Sequence, residues 1–155
     1  MRAPFSSISS NNFLFDRGYN RVKLKKTATN HFEIKAKING IKGRFILDTG
    51  ASKSCLGMED IEFFKLNTKE SEHKASGAGP SEIDTLISSK NEISIGKFRL
   101  KKIVLILISL QHINNALEKQ EVNPIQGIIG ADILHKGKAI IDYNKKYLYL
   151  LNKKN

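Results

Sequence analysis

From Arg21 onward apolar and polar residues alternate with period two. Lysines separate Val22 from Leu24, and Phe32, Ile34, Ala36 and Ile38 alternate with Glu33, Lys35 and Lys37. A helix, with its period of ~3.6 residues, cannot turn such a set to one side, whereas a strand with one face in the core can. Asn39-Gly40 follows, a dipeptide suited to the left-handed backbone of a tight hairpin, and Arg44 to Leu47 is the returning strand. The signature recurs. Ile83, Thr85 and Ile87 alternate; residues 92–95 and 98–110 read as two strands around Gly96; residues 127–129 form a short apolar strand; and 139–143 with 147–151 make a closing hairpin across Asn-Lys-Lys. Helical spacing is confined to 59–66, through Ile61, Phe64 and Lys65, and to 131–135, which suffices for one turn or two. Many short strands with few helices predict an all-β barrel or sandwich.

The 155 residues make about one domain by the usual ~100–200 residues per domain. Residues 21–151 carry the strand pattern. Residues 1–20 form a Ser/Asn-rich N-terminal arm, expected to be frayed or loosely docked, and 152–155 a basic tail. The single cysteine, Cys55, excludes an internal disulfide and any multi-cysteine zinc site; with no His-centred motif beside it, it reads as a small buried hydrophobe rather than a nucleophile. His31, His73, His112 and His135 lack metal-ligand spacing and read as surface or capping residues, so no metal is expected. The longest apolar run, Ile103 to Ile108, is far short of the ~20 residues of a membrane-spanning helix. Phe13-Leu-Phe15 is too short for a secretory core, so the expected compartment is cytoplasmic.

A net charge of +11 suggests nucleic acid until it is divided along the chain. Residues 1–50 carry ten basic side chains against three acids, 51–133 ten against eleven, and 134–155 six against one. The excess belongs to the two ends, and no interleaving of aromatic and basic residues offers a stacking platform for bases. No nucleic-acid partner is expected.

The chemistry is concentrated in Phe45-Ile-Leu-Asp48-Thr-Gly-Ala-Ser52. An acid placed directly after an apolar strand and followed by Thr-Gly puts a carboxylate at the tip of a sharp turn. Gly50 gives the backbone freedom and room for a close approach, while the hydroxyls of Thr49 and Ser52 are expected to hold Asp48 in one orientation. An ordinary Asp-turn with hydroxyl caps would look the same, and Asp84-Thr-Leu86 shows how common the first two letters are. Two later segments add context: the glycine-rich hairpin tip Ala75-Ser-Gly-Ala-Gly-Pro80, and Ile128-Ile-Gly-Ala-Asp-Ile-Leu134. Gly77-Ala-Gly79 is not read as a phosphate nest, since no Lys-Ser/Thr follows it and no strand–helix context surrounds it.

Together and in this order, the three segments resemble the retropepsin-like aspartic proteases, single-lobed relatives of the pepsins, over roughly residues 21–151; the terminal Ile-Asp-Tyr and Tyr-Leu-Tyr-Leu pair resembles the bacterial members. The resemblance implies an all-β, single-lobed acid-protease barrel with one or two short helices. It implies that Asp48, Thr49, Gly50 and Ser52 form the catalytic turn, that Gly77, Ala78 and Gly79 form a flap over a peptide or protein substrate, and that Asp132 ties down the turn from behind. Ala131 stands where retroviral enzymes commonly place an arginine, and Pro80 is a departure at the flap tip. With one Asp-Thr-Gly in the chain, the family pattern implies a homodimer with Asp48 facing its mate. Two other readings remain: a dimeric peptide-binding domain of the same fold without turnover, and a basic nucleic-acid-binding β-barrel.

Overall fold

The computed structural model describes residues 10–70, 75–76, 82–83 and 85–153. The first described element is helix α1 (Ser10–Asp16), followed by strands β1 (Tyr19–Lys23), β2 (Lys25–Lys26), β3 (Phe32–Ile38), β4 (Ile41–Leu47) and β5 (Cys55–Gly57). After a single 3-10 turn at Met58–Asp60 come β6 (Lys69–Glu70), β7 (Ala75–Ser76), β8 (Glu82–Ile83), β9 (Leu86–Ile95) and β10 (Phe98–Ile108). Helix α2 (Gln111–Lys119), β11 (Gly127–Ile129), helix α3 (Ala131–Lys136), β12 (Ile140–Asp142) and β13 (Tyr147–Leu151) complete it.

Eight strands form one sheet in the order β2-β3-β4-β11-β5-β10-β9-β6, and β3 also pairs with β9. That extra pairing closes the sheet on itself, so the alternating apolar residues of β3, β4, β9 and β10 all point into one barrel core. Ile34, Ile38, Phe45, Phe64, Ile93, Phe98, Leu105 and Leu107 are buried there. The Asn39-Gly40 hairpin forms as its sequence predicts, with φ of 53° and 82°. Asn39 also ties the turn to β9: its Oδ1 accepts from Glu92 N at 3.0 Å and its Nδ2 donates to Asn91 Oδ1 at 2.9 Å.

A second sheet, β1-β13-β12, joins the two ends of the chain. The N-terminal arm contributes to it: Tyr19 and Asn20 pair with Leu151 and Leu150, and Leu14 of α1 is buried; just beyond the arm, the Arg21 guanidinium lies over the Tyr147 ring at 4.1 Å. β7 and β8 pair separately, Ala75 opposite Ile83 and Ser76 opposite Glu82. These are the two arms of the expected glycine-rich hairpin; its tip, Gly77, Ala78, Gly79 and Pro80, lies outside the described residues.

Two expectations for the helices are corrected. Residues 59–66 do not form an α-helix: after the 3-10 turn, Lys65 takes a φ of 55° and Leu66 N bonds back to Ile61 O at 3.0 Å. That irregular path puts both Phe64 and Leu66 into the core, which a straight helix with its apolar positions at 61 and 64 would not. Conversely, the strand read to Leu110 ends at Ile108 and α2 follows it. Leu117 of α2 packs with Ile46 and Ile125 on the outer side of the barrel, with Ile113 beside them. Asn114 clamps the returning segment with two hydrogen bonds to the Ile125 backbone, at 2.8 and 3.0 Å. No helix among the described residues is long and apolar enough to cross a membrane.

Candidate active site

β4 runs through the core and delivers Asp48 to the barrel rim. Phe45, Ile46 and Leu47 are buried, whereas Asp48, Thr49 and Gly50 are exposed, so burial ends where the turn begins. The rim position is fixed by β11, which pairs parallel to β4 and antiparallel to β5 and lies between the strands that lead into and out of the turn. Asp48 N donates to Ile129 O at 2.9 Å, and Ala51 N returns to Asp48 O at 3.2 Å. The carboxylate is oriented by the backbone: Gly50 N donates to Asp48 Oδ1 at 2.9 Å.

This differs from the expectation that the Thr49 and Ser52 hydroxyls hold Asp48. Both side chains are exposed, and among the described residues neither hydroxyl has a hydrogen-bond partner. Gly50 also does not use a left-handed backbone; among the described residues the positive-φ glycines are Gly18, Gly40 and Gly96. A Cβ at position 50 would lie 3.3 Å from Asp48 Oδ1, so the glycine keeps the carboxylate's flank open.

The hydroxyl that does lock the turn is Ser54, which the sequence reading passed over. It is buried; its Oγ donates to Asp132 Oδ1 at 2.7 Å and accepts from Gly130 N at 2.8 Å. Asp132, in the first turn of α3, also accepts from Ser54 N at 3.0 and 3.1 Å and from Ile133 N at 2.9 Å. Its expected role of tying down the turn is what these bonds do. Ala131 N donates to Ala51 O at 2.7 Å, and a Cβ on Gly130 would come within 2.5 Å of that same carbonyl oxygen. The close approach explains the Gly-Ala pair: any side chain at 130 would push α3 away from the Asp48 turn. The hydrogen-bonded pair Ser54–Asp132 was invisible locally because its members are far apart in sequence; the only local hint was an acid placed just after Gly-Ala.

Cys55, one residue further, is buried at the start of β5. Burial pushes its thiol up to about 11; the Asp132 and Asp48 carboxylates add to this, while a hydrogen bond with the Ile128 backbone opposes it. A neutral buried thiol is a packing group. Beside the turn, Thr49 borders a depression of about 380 Å³ whose other walls include Ala131, Leu134, Ala139 and Ile141. No group of three or more His, Cys, Asp or Glu side chains that could hold a metal ion occurs among the described residues.

A family model described as aspartyl protease matches residues 34–133, the span from β3 through the Asp132 anchor. No match to a protein of curated function was found. Among solved structures, the chain is similar to a retropepsin-like aspartic protease from Rickettsia conorii, with a TM-score of 0.57 and 23% identity over 86% of this chain and 89% of that one. It is also similar to the EIAV protease complexed with the inhibitor HBY-793, with a TM-score of 0.54 and 18% identity over 76% of this chain and 98% of that one. A third similar structure is the retroviral protease-like domain of Ddi1 from Leishmania major, with a TM-score of 0.55 and 18% identity over 78% and 88% of the two chains. A closed single-lobed barrel that presents Asp-Thr-Gly at its rim, with Gly-Ala-Asp buttressing it from behind, and a family model covering both segments, place this chain in the retropepsin-like aspartyl protease family.

Proposed function

We propose that the protein is an aspartic endopeptidase acting as a homodimer, with Asp48 of each chain on the two-fold axis. The observation that carries the reading is the presentation of Asp48: an exposed carboxylate, aimed by the Gly50 amide, on a turn that Ser54, Gly130 and Asp132 hold rigid. A single chain supplies one such group, and water activation for peptide hydrolysis uses two. The depression beside Thr49, lined by Ala131, Leu134, Ala139 and Ile141 together with His135 and Lys138, is where a second chain would dock.

Two carboxylates held close cannot both ionise, so such a pair shares one proton and its two ionisations move apart. The ionised member takes a proton from the water between them as general base, and the protonated member donates a hydrogen bond to the scissile carbonyl oxygen. The new C–O bond makes a tetrahedral intermediate. When the C–N bond breaks, the departing nitrogen takes up a proton and the dyad returns to its singly protonated state. In this reading Thr49 faces its mate across the axis, and the Ser52 hydroxyl is open to the partner chain or the substrate. Gly77, Ala78 and Gly79 form the tip of a cover over the bound peptide. No metal or organic cofactor takes part, and the catalytic domain spans residues 21–151.

The test is incubation with a mixed peptide library from acidic to neutral pH, with and without an inhibitor of aspartic proteases. Cleavage that the inhibitor suppresses and that Asp48→Asn reduces by at least about a thousandfold is the expected result. Retention of activity by Asp48→Asn within tenfold would place the chemistry elsewhere. Peptide binding without cleavage by the wild-type dimer would support the binding-domain reading instead.

A further inference from the structure

Away from the Asp48 turn, a groove of about 540 Å³ follows the edge of the barrel where β1 passes into β2 beside β3. Lys23, Lys25, Lys26, Lys35 and Lys146 line it, and its one acid is Glu33. Glu33 is itself buried and its Oε1 is engaged by Arg44 Nε at 3.3 Å, so its charge is already matched. None of the five lysines has a carboxylate at ion-pair distance among the described residues, and all five side chains are exposed. The same outer face continues in like kind: Lys35 stands directly opposite Arg44, and Lys37 directly opposite Lys42. Facing like charges on neighbouring strands oppose folding; Arg44 is engaged by Glu33, but Lys37 and Lys42 have no carboxylate at ion-pair distance among the described residues, and that pair leaves this face with a repulsion that an anionic partner would relieve.

The groove also adjoins the proposed catalytic turn. Lys26 pairs with Phe32, and Phe32 pairs with Leu47, the residue before Asp48. At ~4.8 Å per strand, the backbone at the Lys26 end of the groove lies about 10 Å from that of Leu47. We propose that this lysine groove binds an acidic stretch of extended polypeptide; that the stretch belongs to the protein being cleaved rests on the protease reading above. A polypeptide fits better than a nucleic acid because no aromatic side chain lines the groove to stack a base. Val22, which is half-buried, instead offers apolar contact beside the ammonium groups. Lys23 and Lys25 flank buried Leu24. In extended backbone such a pair stands about 7 Å apart, the repeat of alternate side chains along an extended peptide.

The test uses the full chain carrying Asp48→Asn, so that cleavage does not interfere. Fluorescence anisotropy compares a labelled peptide with alternating glutamates, the same peptide with glutamine in their place, and an oligothymidylate of equal charge. The glutamate peptide is expected to bind at least tenfold tighter than the glutamine peptide, with affinity falling as salt rises. The triple variant Lys23→Gln/Lys25→Gln/Lys35→Gln is expected to lose tenfold or more in affinity with no fall in melting temperature, and the triple Lys→Arg variant to retain binding. Equal binding of the two peptides, indifference to the triple glutamine variant, or tighter binding of the oligothymidylate would each overturn the proposal. Glutamate-selective binding by a wild-type protein that cuts no peptide would count against the protease reading alone, leaving the groove assigned to an acidic partner.

Discussion

Ser54 and Ser52 stand two residues apart and carry the same hydroxyl, yet their surroundings give them opposite weight. Ser54 Oγ is the acceptor for the buried Gly130 amide and the donor to Asp132. Ser54→Ala leaves that amide without an acceptor and is expected to cost about 1–3 kcal/mol, read as a lower urea midpoint with unchanged slope. Ser52→Ala, at an exposed site, is expected to change stability by less than about 0.5 kcal/mol, and the same denaturation series provides the comparison. Cys55 supplies a chemical probe of the same neighbourhood. With its thiol raised to about 11 by burial, native protein at pH 8 holds almost no thiolate. Iodoacetamide labelling followed by mass spectrometry is expected to be slower in native than in unfolded protein by roughly two orders of magnitude. Fast native labelling would mean that the β5 end of the turn opens readily.

At the scale of elements, α2 is the part whose value depends on docking. Its N-terminal amide is met from outside the helix, Gln111 N donating to Ser109 Oγ at 3.4 Å, and one apolar edge, Ile113 and Leu117, holds it against Ile46 and Ile125. Leu117→Ala should therefore cost about 2–4 kcal/mol, as for other buried leucines, and calorimetry would show it as a lowered melting temperature. A change below 0.5 kcal/mol would mean that the helix is dispensable to the barrel. The β7–β8 arms carry a different expectation. If the tip between them covers substrate, Gly77→Val or Gly79→Val should reduce kcat/KM by more than about tenfold while the melting temperature stays within a few degrees. A sharp fall in melting temperature with unchanged kcat/KM would assign the segment to the fold rather than to catalysis.

For the molecule as a whole, the decisive quantity is the number of chains in the active species. One Asp-Thr-Gly per chain means that a two-fold axis must complete the site. Specific activity is then expected to fall on dilution below the dimer dissociation constant, in step with the monomer fraction from sedimentation velocity. Mixing a ninefold excess of Asp48→Asn chains into wild-type protein should lower activity per wild-type chain about tenfold, because random pairing leaves about one wild-type chain in ten with a wild-type mate. Full specific activity from a monomer would refute the shared site.

The sequence by itself determined most of the strands, though not β5 or the continuity of β9, and with them the Asn39-Gly40 hairpin and the rim position of Asp48, because each follows from contacts within a few residues: period-two burial, left-handed turn geometry, and an acid at the end of an apolar strand. The Asp-Thr-Gly and Gly-Ala-Asp segments were legible for the same reason. What orients and braces the carboxylate was not. Thr49 and Ser52 had the right chemistry at the right spacing but face solvent, while the Gly50 amide and distant Asp132, reached through Ser54, hold the turn. Helix α2 was not read from the sequence, where 98–110 had the look of one long strand; the outward-facing Ile46 on β4 gives Ile113 and Leu117 something to bury against. Residues 59–66 had helical spacing, and the core drew Phe64 and Leu66 inward at the cost of the helix. Periodicity reports which side of an element is apolar; which polar group finds a buried partner, and which apolar edge finds a surface, is decided when segments far apart in the chain are brought together.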